Sequence, residues 1–218
     1  VFGVESPNNY IYDSLIDQYS KRDYLSNSKI PPIVVDVSSN FYSRPINIEN
    51  YSVIYGGAQK NLGPSGITFC IIDKQYSRKL CEYPRVPRML KWKISADNDS
   101  RYNTPPTFSI YVMGRVLNWL KDIGGVDFIS ERNQEKSRLL YNALDSSDLF
   151  VNIVNPKFRS RMNIPFRIIS KDDKKDNNNN NLEKIYTWNT DLENIFIKEA
   201  EKDGLFMLKG HRTAGGMR

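Results

Sequence analysis

The chain has 218 residues, with 31 lysines and arginines against 25 aspartates and glutamates, for a formal charge of +6. Hydrophobic residues make up 39% and charged residues 26%, ordinary values for a folded globular protein. The longest apolar run, Ile67 to Ile72 broken by Thr68, is far too short to span a bilayer, so no membrane role is expected. One histidine and two distant cysteines, Cys70 and Cys81, suit neither a metal site nor a disulfide framework. Such cysteine usage fits a reducing compartment, the cytoplasm. The basic residues are scattered and accompanied by acidic ones, so a nucleic-acid partner is not expected and a basic binding module is kept only as an alternative; an anionic small substrate would also suit the charge.

The opening residues, VFGVESPNNY, lack the basic start and apolar core of a signal peptide, and they carry no initiator Met. The chain is therefore expected to begin within a longer protein. Residues 6–32 are polar and punctuated by Pro7, Pro31 and Pro32, a pattern for a long loop with a short helix at 12–19. IVVDVSS then reads as a buried strand with a polar end. SVIYGGAQKNLGPSGITFCIID reads as a strand, a Gly/Pro-rich turn and a second apolar strand, with Cys70 in the core. Pro105 and Pro106 open a helix with Val112, Met113, Val116, Leu117 and Leu120 on one face, stopped by Gly124 and Gly125. A second helix runs over about 126–144, with Phe128, Ile129, Leu139, Leu140 and Leu144 as core candidates.

Residues 163–169 read as a strand, and 171–181, KDDKKDNNNNN, as a surface loop without apolar side chains. Asn189 or Thr190 caps a helix carrying Leu192, Ile195, Phe196 and Ala200, which Gly204 ends. LFMLKG is the last expected strand. Strands alternating with helices predict an α/β fold, with a domain joint at Gly124–Gly125.

Two residues stand out chemically. Lys60 lies in a Gly-rich turn between two apolar strands, a frame that lets a ligand approach the backbone; partial burial there suits imine chemistry. On spacing alone an exposed hairpin lysine remains the alternative. Asp36 ends an apolar strand, where ligands of open α/β sheets gather. A buried carboxylate there needs a cationic partner, such as a protonated pyridine nitrogen. The alternative is an aspartate that merely caps the SSN turn.

The segment VVDVSSNFYSRPINIENYSVIYGGAQKNLGPSGITF resembles the cofactor-lysine region of the phosphoserine aminotransferases. NTPPTFSIYVMGRVLNWLKDIGG, RNQEKSRLLYNALD, RSRMNIPF and KGHRTAGGMR follow in that family's order. The resemblance covers about residues 33–218, apart from the Asn-rich insert. It implies a fold-type-I transferase dependent on pyridoxal 5'-phosphate. Residues 1–125 would be part of the large domain with its mixed sheet, and 126–218 most of the small C-terminal α/β domain.

It also implies roles for particular residues. Lys60 would carry the cofactor and shuttle the substrate proton, and Asp36 would pair with the pyridinium nitrogen. Gln59 would contact the cofactor ring oxygen or phosphate. Asn103 and Thr104 would reach the cofactor phosphate of a neighbouring subunit, in a homodimer with shared active sites. Thr104 would also be placed to cap the helix that follows it. Arg218 would hold the substrate α-carboxylate, and His211 and Arg212 the distal anion. The substrates would be glutamate and 3-phosphohydroxypyruvate, in serine biosynthesis, with the phosphorylated hydroxythreonine of vitamin B6 synthesis as a related possibility. The family's N-terminal half and closing strand and helix have no counterpart in this sequence. The chain alone is therefore expected to bind cofactor weakly, and a non-catalytic scaffold fragment is the alternative to an enzyme.

Overall fold

A computed structural model describes residues 32–80, 85–170, 187–211 and 215–218. The expected helix at 12–19, the surface loop at 171–181, Cys81 and Arg212 lie outside the described residues. The chain divides into two compact units, which part between Glu131 and Arg132.

The first unit is built on a three-stranded mixed sheet. Strand β1 (Val34–Asp36) runs parallel to β2 (Val53–Gly57), and β2 pairs antiparallel with β3 (Thr68–Ile72). Strand and hairpin fall where the apolar runs predict them. The register places Val35, Ile54 and Ile71 in one row and Asp36, Tyr55 and Cys70 in the next. Neighbouring rows point to opposite faces of a pleated sheet. The face with Val35 and Ile54 is the packed one: with Val37 and Tyr51 they form a buried cluster against Ile33, Phe41, Ile46 and Phe69. Phe41 stacks on Phe69 at 4.4 Å between ring centroids.

The other face is largely uncovered by the described residues. Val34 is 47% exposed, and Asp36, Tyr55 and Cys70 are exposed beside it, with only Val53 fully buried there. This corrects two expectations: β1 is not buried on both faces, and Cys70 is not a core residue. An apolar run signals that a strand suits burial, but not whether anything covers each side.

After β3 come α1 (Lys74–Leu80), α2 (Trp92–Asp97) and α3 (Thr107–Asp122). The N-cap of α3 is Pro106, without a side-chain cap bond, so Thr104 does not cap it. Thr107 instead donates from its hydroxyl to the Pro105 carbonyl at 3.3 Å. Gly124, at φ 110°, ends the helix as expected. The face predicted from Val112 to Leu120 is half-buried to buried, whereas Phe108, Tyr111 and Trp119 stand exposed. Helix α4 (Gly125–Asp145) follows directly. Of its expected core residues only Leu144 is buried, while Phe128, Leu139 and Leu140 are exposed.

The second unit contains a short antiparallel pair, β4 (Phe150–Val151) and β5 (Arg167–Ile168), and helix α5 (Thr190–Lys202). Asn189 caps α5, accepting from the Leu192 amide at 3.0 Å. The core is Leu144, Phe166, Ile168 and Met217, packed with Phe150, Ile164, Phe196 and Ile197. Phe150, Phe166 and Phe196 meet edge to face in a triangle, with centroids 5.3–6.0 Å apart. On α5 itself Phe196 packs against this core and Ala200 is buried, but Leu192 and Ile195 are exposed.

Two expected strands are cut short. Residues 163–169 keep only two strand residues, extended by single bridges from Phe166 to Met217 and from Ile169 to Trp188. LFMLKG is not a strand: Met207 has φ 64°, and only Lys209 forms a bridge, to Met217. A left-handed residue in mid-segment breaks the extended geometry that a ladder needs.

Candidate functional site

The first cluster grows out of the β1 exit. Asp36 accepts from the Ser38 amide at 2.8 Å and the Ser38 hydroxyl at 2.6 Å, both at Oδ1. Asp36 thus does cap the SSN turn, the plainer of the two roles considered for it. Its other oxygen, Oδ2, has no hydrogen bond among the described residues and lies on the open face of the sheet. The same Ser38 hydroxyl accepts from the Gly57 amide at 3.1 Å, tying the turn after β1 to the end of β2. Next to it, Ser39 accepts from Lys60 Nζ at 2.9 Å. The carboxylate and the amine are therefore held on two adjacent serines of one turn. The serines were not singled out in the sequence, although SSN directly after the strand was the available signal.

The loop that carries Lys60 is anchored from below. Ala58 and Leu62 are fully buried, and the Ala58 carbonyl accepts from the amides of Leu62 at 3.2 Å and Gly63 at 2.9 Å. Asn61 donates to the Phe41 carbonyl at 2.9 Å. Gly63 has φ 147°, and a Cβ there would lie 3.3 Å from the Cα of Met113, so the loop rests directly on the backbone of α3. Above this base Gln59 and Lys60 are both exposed. Lys60 is thus the exposed hairpin lysine of the alternative reading and not a partly buried one, since the described residues leave the face of the sheet beside it open. Gln59 folds back over Gly57, its Oε1 2.1 Å from where a Cβ would sit. Asn103 and Thr104 are exposed and make no hydrogen bond among the described residues.

The second cluster belongs to the other unit. His211 and Arg218 line a small cleft together with Asn163, Phe166, Arg167 and Met217. Both are exposed. The Arg218 amide donates to the Leu208 carbonyl at 2.8 Å, and Met217 and Phe166 exchange two backbone bonds at 2.9 and 3.0 Å. These bonds fix the backbone that carries Arg218. Arg167 was not foreseen as part of this cleft, since its partners lie far along the chain.

The donor set of the first cluster fits pyridoxal phosphate. A primary amine able to condense with an aldehyde and a carboxylate oxygen left open for a cationic ring nitrogen bond to adjacent serines of one turn, beside a face of the sheet that the described residues leave uncovered. Among the described residues no group of three or more His, Cys, Asp or Glu is placed to hold a metal, and no helix is long and apolar enough to cross a membrane.

A family model described as aminotransferase class-V matches residues 27–180. The chain is 44% identical over 188 residues to a phosphoserine aminotransferase of Laribacter hongkongensis (strain HLHK9), covering 86% of this chain and 46% of that protein. A solved phosphoserine aminotransferase from Bacillus circulans subsp. alkalophilus is 37% identical, with a TM-score of 0.72 over 86% of this chain and 46% of its own. A pyridoxal-phosphate-bound phosphoserine aminotransferase from Trichomonas vaginalis is 35% identical, with a TM-score of 0.70 over 86% of this chain and 48% of its own. The chain thus spans about half the length of the relatives it matches.

Proposed function

This chain belongs to the class-V aminotransferase family, with the fold of type-I pyridoxal-phosphate enzymes, and we propose that it serves a phosphoserine aminotransferase. The reaction passes an amino group from glutamate to 3-phosphohydroxypyruvate, giving phosphoserine and 2-oxoglutarate. The observation that carries this reading is the pairing of Lys60 and Asp36 on the Ser38–Ser39 turn, in a chain 44% identical to a protein of that name.

Pyridoxal phosphate, when bound, supplies an electron sink for the bond to the substrate α-hydrogen. This chain's own residues do the rest. Lys60 Nζ would hold the cofactor covalently and, when free, would carry the proton from the substrate α-carbon to the cofactor. The hydrogen bond to Ser39 ties the amine to the turn that follows Asp36. Asp36 keeps a proton on the pyridine nitrogen through Oδ2, while Ser38 occupies Oδ1 and orients the carboxylate. Gln59 orients the ring from its perch over Gly57. Asn103 and Thr104, exposed and free of hydrogen bonds within the described chain, suit contact with the cofactor phosphate of a second subunit in a homodimer. Arg218 clamps the α-carboxylate in bidentate fashion, and His211 and Arg212 take the distal anion. Within this reading, residues 1–125 belong to the large domain and 126–218 to the small one, and the protein works in the cytoplasm.

The test is borohydride trapping in the full-length protein. The reduced cofactor should be recovered on the peptide containing Lys60, and Lys60→Ala should abolish trapping and transamination together. Reduced cofactor on another lysine would overturn the assignment. A second reading is a scaffold without chemistry of its own. Purified chain that takes up no cofactor, while the full-length protein does, would support it.

A further inference from the structure

We propose that Arg167 is a positioning residue for the turn that presents Arg218, and through it for binding of the substrate carboxylate. The inference rests on the reading of Arg218 as the carboxylate clamp.

Arg167 is nearly enclosed. Its Nε donates to Glu193 Oε1 at 2.6 Å, and Nη2 donates to Oε2 at 3.3 Å. Glu193 is itself buried and also accepts from the Ile168 amide at 3.3 Å. The guanidinium stacks over Trp188, 4.8 Å from the ring centroid. A fork–fork pair on one side and an aromatic plane beneath leave the side chain one orientation. A buried ion pair adds little net stability compared with an apolar pair, so its use is to be sought in what it orients.

What it orients is the Gly215–Gly216 turn. Gly215 and Gly216 have φ of 69° and 70°, the left-handed region. A Cβ on Gly216 would lie 2.3 Å from Arg167 Cδ, and one on Gly215 would lie 3.3 Å from Arg167 Nη1. The stem and head of the arginine are thus the floor on which the two glycines lie. Directly beyond them come Met217, paired with Phe166, and Arg218. The route runs from Glu193 and Trp188 through Arg167 to the glycine turn and so to the backbone of Arg218. Arg167 is needed as a shape and an orientation, because its charge is already met by Glu193.

Two variants separate this from a general structural role: Arg167→Gln, which shortens the floor and breaks the stack, and Glu193→Gln, which keeps its shape and removes the carboxylate. In the full-length protein, amide hydrogen exchange in the peptide spanning 208–218 should quicken at least about tenfold in both, since local opening sets the exchange rate. Peptides of β1 to β3 should exchange as in the wild type. KM for glutamate should rise about tenfold with kcat within about twofold, the signature of lost ground-state positioning, and Arg167→Lys should restore only part of it. Unchanged exchange at 208–218 in both variants overturns the proposal, as does a faster exchange spread evenly over both units. If exchange quickens as expected but the wild-type protein does not transaminate, the positioning stands and the proposed function fails.

Discussion

Replacing Asp36 by Asn separates its observed role as a turn cap from the role proposed for it at the cofactor. Oδ1 accepts two bonds from Ser38, at 2.8 and 2.6 Å, and the amide oxygen of Asn can accept both. What is lost at the turn is only the charge assistance of those bonds. A bond to a charged group is worth about 1.5–3 kcal/mol against about 0.5–1.5 for a neutral one. Asp36 is exposed, so solvent screening cuts that difference further, and Asp36→Asn should cost about 1 kcal/mol or less of stability. Asp36→Ala removes both bonds and should cost about 1–3 kcal/mol. Turnover should order the variants differently. Loss of one preorganised electrostatic partner costs about 10²–10³ in kcat, and both variants should pay it, Asn included. The assay is a pair of measurements on full-length protein: thermal unfolding, and transamination from glutamate at saturating substrate. Near-normal turnover of Asp36→Asn would refute the reasoning, because the charge would then be dispensable and Asp36 only a turn cap.

Other outcomes follow from the geometry. Gly204, at φ 85° with open space around it, should cost about 1–2 kcal/mol on substitution by Ala, the left-handed penalty alone. Gly216→Ala meets Arg167 as well and should lose about 1–3 kcal/mol more, so the gap between the two in denaturant unfolding measures the clash; equal losses would argue against the tight seat. Although Cys70 is exposed as a residue, partial desolvation of its thiol raises the pKa above the ordinary value. Less thiolate is then present near pH 8 than for a free cysteine, and the deficit should close as pH rises. Alkylation of Cys70, followed by peptide mass mapping, should therefore be slower in the folded protein than in the unfolded one at pH 8. An equal or faster folded rate would contradict it.

The parts legible in the sequence are those whose signal is local. The hairpin around YGGAQKNLGPSG, the glycine stop at Gly124 and the Asn189 cap all depend on residues within a few positions of one another. Lys60 and Asp36 were found through a motif, and their junction at Ser38–Ser39 through the structure. Illegible parts depend on distant partners. LFMLKG has strand-like composition, but a strand exists only if another pairs with it, and Met207 turns the chain left-handed instead. Cys70 and Val34 carry a core-like pattern, and only the absence of a described covering element leaves them exposed. Arg167 and Glu193 are 26 residues apart, and no periodicity links them.

The seating of Gly63 against Met113 has a mechanical result. A loop lying directly on helix backbone, with Ala58 and Leu62 sunk beneath it, has little room to flex by itself, so its motion is that of α3. The movable part of the amine is then its four-carbon arm, which turns about side-chain torsions in picoseconds to nanoseconds, well ahead of loop rearrangement. In the role proposed for Lys60, release from Ser39 and swing toward a reacting carbon would need only that arm to turn. Slow steps in turnover would accordingly lie in the chemistry or in substrate exchange, with the loop acting as a fixed pivot.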